Sequence, residues 1–253
     1  MLTIDPITAP QRDGQDPTRR TALVTGVLFV ITFVTSIPVA FYLYTPVLKH
    51  SDYIVGAGAD TQVTLGALLE VILVIANIGT AIALFPLLKR QHEGLALGFV
   101  AARIVESVLI VIGILSVLTI VSLRQDLGGA AGADATSLIT AGRSLVAVHD
   151  WTFLLGPGLT VGLGNGLMLG YLMYRSHLVP RRMAVLGLVG GPLILVSGVA
   201  VLFGVYEQVS APSALATIPE FFWELGLGVY LIVKGFRPSA AARLTTVQPP
   251  PSR

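Results

Sequence analysis

The sequence predicts an all-α membrane protein, a bundle of six transmembrane helices with both termini in the cytoplasm. Three observations support this prediction: the mean hydropathy is +0.81, only 12% of the 253 residues are charged, and six long apolar segments follow one another. A soluble domain usually has about 25% charged residues, so this chain has too few charges to cover a water-exposed surface. An apolar segment of about 20 residues is long enough to cross a bilayer.

The six apolar segments are each long enough to span the hydrocarbon core as a helix. They cover residues 21–43, 61–87, 95–123, 145–174, 183–206 and 216–236. The first segment is too long for a signal-peptide core and ends in aromatic residues typical of a membrane interface, so we expect a retained helix. Residues 19–237 then form one transmembrane domain, and the polar tails 1–18 and 238–253 are expected to be disordered.

The basic residues predict the orientation of the bundle in the cell membrane. Twelve of the 16 Lys and Arg residues lie in the two tails and in the loops 88–94 and 175–182, whereas three lie in the loops on the opposite side. Loops rich in Lys and Arg stay in the cytoplasm, so both termini are expected there. The net charge of +2 is then a topology signal. Membrane lipid is the expected partner, and nucleic acid is not.

The chain contains no cysteine. This composition excludes disulfides, thiol catalysis and zinc–thiolate sites. We expect no cofactor.

Polar and charged residues inside the spans, or at their ends, are the candidates for a functional pocket. A charge at the bilayer centre costs about 2.5–3.5 kcal/mol on insertion scales, so each one needs a partner or a water-filled cavity. The candidates are Glu70, Asn77, Arg103, Glu106, His149, Asp150, Glu220 and Glu224, together with Asn165 in the fourth span. Arg103 and Glu106 are three residues apart, so they point the same way on a helix. We expect a polar pocket that opens outward and has this pair at its floor.

The pattern of polar residues leaves several functions open. We expect the residues to form a pocket that binds a small or lipidic ligand without catalysis. A simpler interpretation is that buried ion pairs serve to hold the helices together. A proton-coupled carrier is one alternative. Another is an intramembrane metal-dependent hydrolase with Glu70, Glu106, Glu224 and His149 as ligands. The sequence lacks the E-x-x-H or H-E-x-x-H spacing of such metal sites, so the metal is undetermined.

The fourth segment carries glycine at every fourth position. Gly158, Gly162, Gly166 and Gly170 form a pattern that allows helix backbones to approach closely. We expect this face to pack against another helix of the same chain, and the oligomeric state stays open. The pairs Gly156-Pro157 and Gly191-Pro192 predict kinks or breaks in the fourth and fifth segments.

The turn between the fourth and fifth segments is basic and aromatic. Its polar residues Arg175, Ser176, Arg181 and Arg182 favour anchoring at the membrane interface through anionic lipid headgroups. A site for a small anion or phosphate is the alternative.

Three short motifs resemble one bacterial membrane family. They are the turn Tyr-Leu-x-Tyr-Arg-Ser-x-Leu-Val-Pro-Arg that begins at Tyr171, the segment Ala102-Arg103-Ile-Val-Glu106, and the closing segment from Glu224 to Phe236. Over roughly residues 20–237 the chain resembles the family called domain of unknown function 4386. The resemblance implies an integral membrane protein with about six or seven helices. It implies no activity.

The predicted topology can be tested by cysteine labelling on this cysteine-free chain. Ser252→Cys should be labelled by an impermeant maleimide only after the cells are permeabilised, because the C-terminal tail is expected inside. Ser51→Cys, in a loop expected outside, is the matched control and should be labelled in intact cells. Labelling of Ser252→Cys in intact cells would contradict the topology.

Overall fold

The chain forms long helices that run back and forth between two ends of a bundle. The computed structural model describes residues 17–50, 52–56, 58–127 and 133–246, and within these ranges there is no β-strand. The α-helices are α1 (Pro17–Pro38), α2 (Thr45–Lys49), α3 (Asp60–Leu88), α4 (Glu93–Leu127), α5 (Ala133–Phe153), α6 (Gly170–Ser176), α7 (Arg181–Leu202), α8 (Ala211–Val233) and α9 (Pro238–Thr246). Wider π-helical turns cover Val39–Leu43, Leu154–Thr160 and Gly162–Leu169.

Six helical stretches are long and apolar enough to cross a membrane, which confirms the prediction of six spans. Spans 1 to 6 are Pro17–Lys49, Asp60–Leu88, Glu93–Leu127, Asp134–Ser176, Arg181–Leu202 and Ala211–Val233. Span 4 begins about ten residues earlier than the segment predicted from hydropathy. The reason is that its first turns are amphipathic and therefore lower the local mean hydropathy.

The six spans form a closed ring in chain order. Each span packs against the next, and α8 returns to pack against α1. Short connections favour antiparallel neighbours, so the ring has two ends. We call the end with the start of α1, the turn 177–180 and α9 the termini end, and the end with the loop 50–59 the loop end. The inner faces of the spans meet in the middle of the ring, where the polar residues lie.

Apolar side chains fill both ends of the ring. The cluster at the termini end includes Phe29, Leu84, Phe99, Leu172 and Trp223, all without exposed surface or nearly so. A second cluster at the loop end is built from α2, the loop 50–59 and the facing parts of α3 and α4. Many outward-facing side chains are exposed and apolar. That pattern is expected where lipid tails replace water.

Glycines bring span 4 into direct backbone contact with α7. A Cβ atom at Gly162 would lie 2.7 Å from the Gly191 carbonyl oxygen, and Gly166 also lies against the Gly191 backbone. A Cβ at Gly170 would meet the α7 backbone at 3.3 Å, whereas one at Gly158 would meet only its own helix. The glycine pattern therefore packs against an internal helix, as expected, over three of its four positions.

The two glycine–proline pairs behave differently. Pro157 lies within the π-helical turns Leu154–Thr160. Proline cannot donate a backbone hydrogen bond, and irregular turns accommodate that loss. By contrast, α7 continues through Pro192, so a break at that position is not observed.

The C-terminal region corrects one prediction. Residues 238–246 are helical, not disordered, because α9 buries Ala240 and Ala241 in the apolar cluster of the termini end. The Arg237 N–H also donates to the Leu178 carbonyl oxygen at 2.9 Å. At the other terminus α1 begins at Pro17, two residues inside the expected tail. Residues 1–16, 128–132 and 247–253 lie outside the described residues.

The contact between span 4 and α7 predicts unequal effects of added methyl groups. Gly162→Ala and Gly191→Ala should each destabilise the protein by about 1–3 kcal/mol, because a Cβ atom would press on the facing backbone. The matched control is Gly226→Ala, where no atom lies within 4 Å of the added carbon, and its melting temperature in detergent should not fall. Equal melting temperatures for all three variants would contradict the packing.

Candidate functional site

Polar side chains from four spans meet in the middle of the ring. We call them the polar core: Asn77 from α3, Arg103 and Glu106 from α4, Asn165 from span 4, and Glu220 and Glu224 from α8. All six were candidates from the sequence. All are buried except Glu224, which is partly buried.

Arg103 forms the centre of a hydrogen-bonded network between α3 and α4. Its Nη1 atom donates to Glu106 Oε2 at 2.8 Å, and Nη2 donates to Asn77 Oδ1 at 2.8 Å. The Asn77 amide closes the triangle by donating to Glu106 Oε1 at 3.0 Å. The guanidinium carbon also lies 5.8 Å from the centre of the Phe29 ring on α1. The expected contact between Arg103 and a glutamate is thus present.

Asn165 connects span 4 to α8. Its side-chain amide donates to Glu224 Oε1, and its backbone carbonyl accepts a hydrogen bond of 3.0 Å from the Trp223 indole. The residue lies within the π-helical turns Gly162–Leu169, and π turns often occur at functional positions. Its own Oδ1 atom is buried and has no partner.

Glu220 is the most isolated carboxyl of the polar core. The residue is 2% exposed, and neither carboxyl oxygen has a hydrogen-bond partner. The carboxyl group fits between two helices because both carry glycine there. A Cβ atom at Gly190 of α7 would lie 2.7 Å from Oε2, and one at Gly166 of span 4 would lie 2.9 Å from it. A residue larger than glycine at position 166 or 190 would leave no room for the Glu220 side chain.

The polar core contains more acidic than basic groups. Glu220 and Glu224 lie within electrostatic range of both Arg103 and Glu106. Three carboxyl groups therefore share one guanidinium, and that guanidinium already donates to Glu106. An ionised carboxylate without a partner is very costly in a low-dielectric interior, and such groups usually take up a proton instead.

The remaining candidates form a separate cluster nearer the loop end, which we call the histidine cluster. The Tyr44 hydroxyl donates to Glu70 Oε2 at 2.8 Å, and its ring packs edge-on against His149 at 5.7 Å between centroids. His149 is also within electrostatic range of Glu70 and lies 3.4 Å from the exposed Asp150 carboxylate. Because Glu70 and Asn77 are seven residues apart on α3, the two clusters are separated by about 10 Å along the helix.

The separation of the clusters bears on the proposed metal centre. Glu70 and His149 lie in the histidine cluster, whereas Glu106 and Glu224 lie in the polar core. Among the residues that the structure describes, no three His, Asp or Glu side chains come close enough together to hold a metal ion. The four-ligand set of the metal alternative is therefore not assembled, because its members lie at two different depths of the ring.

Two cavities lie away from the polar core. The first, of about 180 Å³, lies at the loop end and is lined mainly by α2, the loop 50–59 and span 4, with Lys49, His50 and Arg143 among its residues. The second is an open groove of about 550 Å³ at the termini end, lined by residues of the turn 177–182 and of α9. Of the turn residues singled out from the sequence, Arg181 and Arg182 line this groove. Arg175 instead donates to the Tyr171 hydroxyl at 2.9 Å, and Ser176 bonds its own helix.

One polar cluster, which was not predicted from the sequence, fastens the loop 50–59 to span 3. Arg124 donates to Asp60 Oδ2 at 2.5 Å and to the Gly56 carbonyl oxygen at 3.0 Å, and the Tyr53 hydroxyl donates to Asp60 Oδ1 at 2.7 Å. Burial, followed by the hydrogen bond to Asp60, raises the pKa of Tyr53, so its hydroxyl stays protonated. No residue spacing in the sequence could have indicated the two contacts of Arg124, which span 64 and 68 positions.

The family described as Domain of unknown function (DUF4386) matches residues 24–235. The chain belongs to this family. The match covers span 1 from residue 24 onward, spans 2 to 6 in full, and every residue of the polar core and the histidine cluster. In comparisons with curated proteins and with solved structures, no match to the chain was found.

The Arg103 network predicts a characteristic pattern of destabilisation. Arg103→Met should lower the free energy of unfolding by about 3–5 kcal/mol, because it leaves the Glu106 carboxylate buried without its cation. Combining it with Glu106→Gln should recover part of this loss, since the double variant removes both charges. Thermal unfolding in detergent would measure the effect. Additive losses for the two substitutions would contradict the pairing.

Proposed function

We propose that the protein carries protons across the membrane and that its polar core binds and releases them. One observation supports this proposal above the others: the Glu220 carboxyl group is buried between two helices and has no hydrogen-bond partner. A residue that served only to hold helices together would have its polar atoms satisfied, since unsatisfied buried groups cost about 1–3 kcal/mol each. A proton on Glu220 neutralises the group without any partner.

The charge balance of the core supports the same proposal. Arg103 compensates one of the three core carboxylates, so two negative charges would be left if all of them were ionised. Like charges at short distance cannot all ionise in a low-dielectric site. Glu220 and Glu224, four residues apart on α8, are therefore proposed to share at least one proton. The Asn165 amide donates to Glu224, whereas Glu220 has no such donor.

The size of the site favours a proton over a larger ligand. Neither of the two cavities described above is lined by a residue of the polar core. A bound molecule needs a cavity, commonly of about 300–1,000 Å³ for small molecules. A proton needs none.

We propose that protons reach the core from the loop end. The histidine cluster lies on that side and carries an imidazole beside the exposed Asp150 carboxylate. An imidazole ring can accept a proton at one nitrogen and donate one from the other. On the other side, the apolar cluster with Phe29 and Trp223 fills the ring at the termini end and separates the core from water. Transport would require this cluster to open when protonation changes.

Binding of a small or lipidic ligand is the second candidate, and the cavity at the loop end favours it. This cavity is lined by apolar residues together with Lys49 and His50, which suits a short apolar chain with an anionic end. Its volume of about 180 Å³ is below the range of most small-molecule sites. We therefore rank it after proton binding.

Infrared spectroscopy on the purified protein in liposomes can test proton binding. We expect a protonated carboxyl band, sensitive to deuterium exchange, that disappears or weakens as pH rises. Glu220→Gln should remove this band, whereas Glu207→Gln, in an exposed loop, is the matched control and should keep it. Glu220→Gln should also melt close to wild type, because glutamine has the shape of the neutral acid.

Proton movement can be measured in the same liposomes with an internal pH-sensitive dye. An imposed pH gradient should be dissipated by the wild type and by Glu207→Gln, and more slowly by Glu220→Gln and Glu224→Gln. Identical rates in all four proteins, or an infrared band that persists in Glu220→Gln and Glu224→Gln, would contradict the proposal.

A further inference from the structure

The groove at the termini end is strongly basic. It is lined by His177, Pro180, Arg181, Arg182, Arg237, Ser239, Ala240 and Arg243. Four arginines from two distant parts of the chain thus border one groove, which has a volume of about 550 Å³. The sequence contains no Asp or Glu between positions 150 and 207, or after position 224. The segments that form the groove therefore supply no carboxylate to neutralise it.

Three arginines of the groove are not neutralised by a carboxylate. Within the described residues, Arg181, Arg182 and Arg237 form no ion pair with a carboxylate. Arg181 stacks on the Tyr174 ring, with its guanidinium carbon 4.8 Å from the ring centre, which holds the side chain in place. Arg182 and Arg237 are exposed, and each belongs to one of the two segments, 177–182 and 237–243, that form the walls of the groove.

The positive charges of the groove act on the side chain of His177. Partial burial and the charges of Arg181, Arg243 and Arg237 lower the pKa of this histidine. Three of the four arginines therefore act on one point of the groove. His177 itself ends α6 in the left-handed conformation, with φ of 61°, and this turns the chain sharply so that α7 begins beside the groove.

Two helix N-termini add backbone donors to the same surface. The carbonyl oxygen of Pro180 accepts from Met183 and Ala184, so the N–H groups of Arg181 and Arg182 precede the first hydrogen-bonded turn of α7. In α9 the first residue is Pro238, which has no N–H, and Ser239 offers both an N–H and a hydroxyl. Helix N-termini carry partial positive charge and favour phosphate groups.

Contacts with the apolar cluster and with Arg90 fix the position of α9, so the groove is a stable part of the fold. Phe236, Ala240 and Ala241 are buried in the apolar cluster with Leu178 and Val179. At its far end the Leu244 carbonyl oxygen accepts a hydrogen bond of 3.2 Å from Arg90. Both walls of the groove are thereby attached to the same apolar core.

We infer that this groove binds a phosphate group, either from the headgroup of an anionic lipid or from a free phosphate-bearing anion. Arginine recognises phosphate oxygens in a bidentate manner. The arginines on the two walls can contact different oxygens of one phosphate, and the Ser239 hydroxyl can donate to a third. This assignment rests on the groove alone and not on proton binding in the polar core.

Two binding measurements on the full chain distinguish the two sources. In the first, the protein in phosphatidylcholine nanodiscs is titrated with inorganic phosphate. In the second, the protein in detergent is titrated with short-chain phosphatidic acid, and bound lipid is counted by native mass spectrometry. Saturable binding of phosphatidic acid alone indicates a lipid headgroup, and saturable binding of inorganic phosphate indicates a free anion. Either result supports the site, and no saturable binding in both overturns it.

Substitutions then test whether the groove is responsible. Arg182→Gln and Arg237→Gln, one on each wall, should each weaken the affinity about tenfold, as expected for loss of a hydrogen bond to a charged group. Arg175→Gln is the matched control, because this arginine lies in the same turn but outside the groove, and its affinity should equal that of wild type. Arg182→Lys and Arg237→Lys should bind more tightly than the glutamine variants but less tightly than wild type.

The outcome that overturns the inference is a loss of affinity in Arg175→Gln as large as in Arg182→Gln. Binding would then follow the overall charge of this end of the protein and not the groove. Since Arg182 and Arg237 are exposed, all variants should melt at the wild-type temperature in phosphatidylcholine without phosphate. That control separates lost binding from lost folding.

Discussion

The burial of one guanidinium in the middle of a membrane bundle determines how the rest of the ring is arranged. Arg103 is 2% exposed, and an unpaired charge at that depth would be very costly. Its three interactions, with Glu106, Asn77 and the Phe29 ring, therefore fix α4 against α3 and α1. With the guanidinium occupied on that side, the carboxyl groups of α8 on the other side are left without a full counter-charge.

Much of the fold could be predicted because each span is a local property of the sequence. Length and hydropathy identify six helices, and the three-residue spacing of Arg103 and Glu106 places them on one face. The order of the spans around the ring depends on contacts between distant segments, so it could not be predicted from local sequence patterns. The helix α9 was missed for the same reason. Its sequence is polar and short, and it is stabilised by apolar residues of the turn at Leu178 and Val179.

Helical periodicity predicts which residues of the candidate site share a helix face, but not which of them lie close together. Glu70 and Asn77 do share a buried face, as their spacing indicates, but they belong to clusters at different depths. A single expected pocket thus becomes two groups of residues. In span 4 the periodicity itself changes, because π-helical turns contain more residues than α-helical turns. The partner of Asn165 could not be deduced from an α-helical spacing, and neither could the role of Tyr44, which resembles an ordinary interface residue.

The glycines of span 4 and α7 connect packing to chemistry. Gly162 and Gly191 let two backbones touch, while Gly166 and Gly190 leave the space that the Glu220 carboxyl group fills. Any change in the charge or hydration of that carboxyl group occurs where three helices pack without spare volume. Closely packed interiors respond to such a change by shifting whole helices rather than by local deformation. The helix α7 begins at the basic groove and reaches Gly190 about 13 Å further along its axis. Movement at Glu220 would therefore be transmitted along a rigid helix to the surface where Arg181 and Arg182 lie.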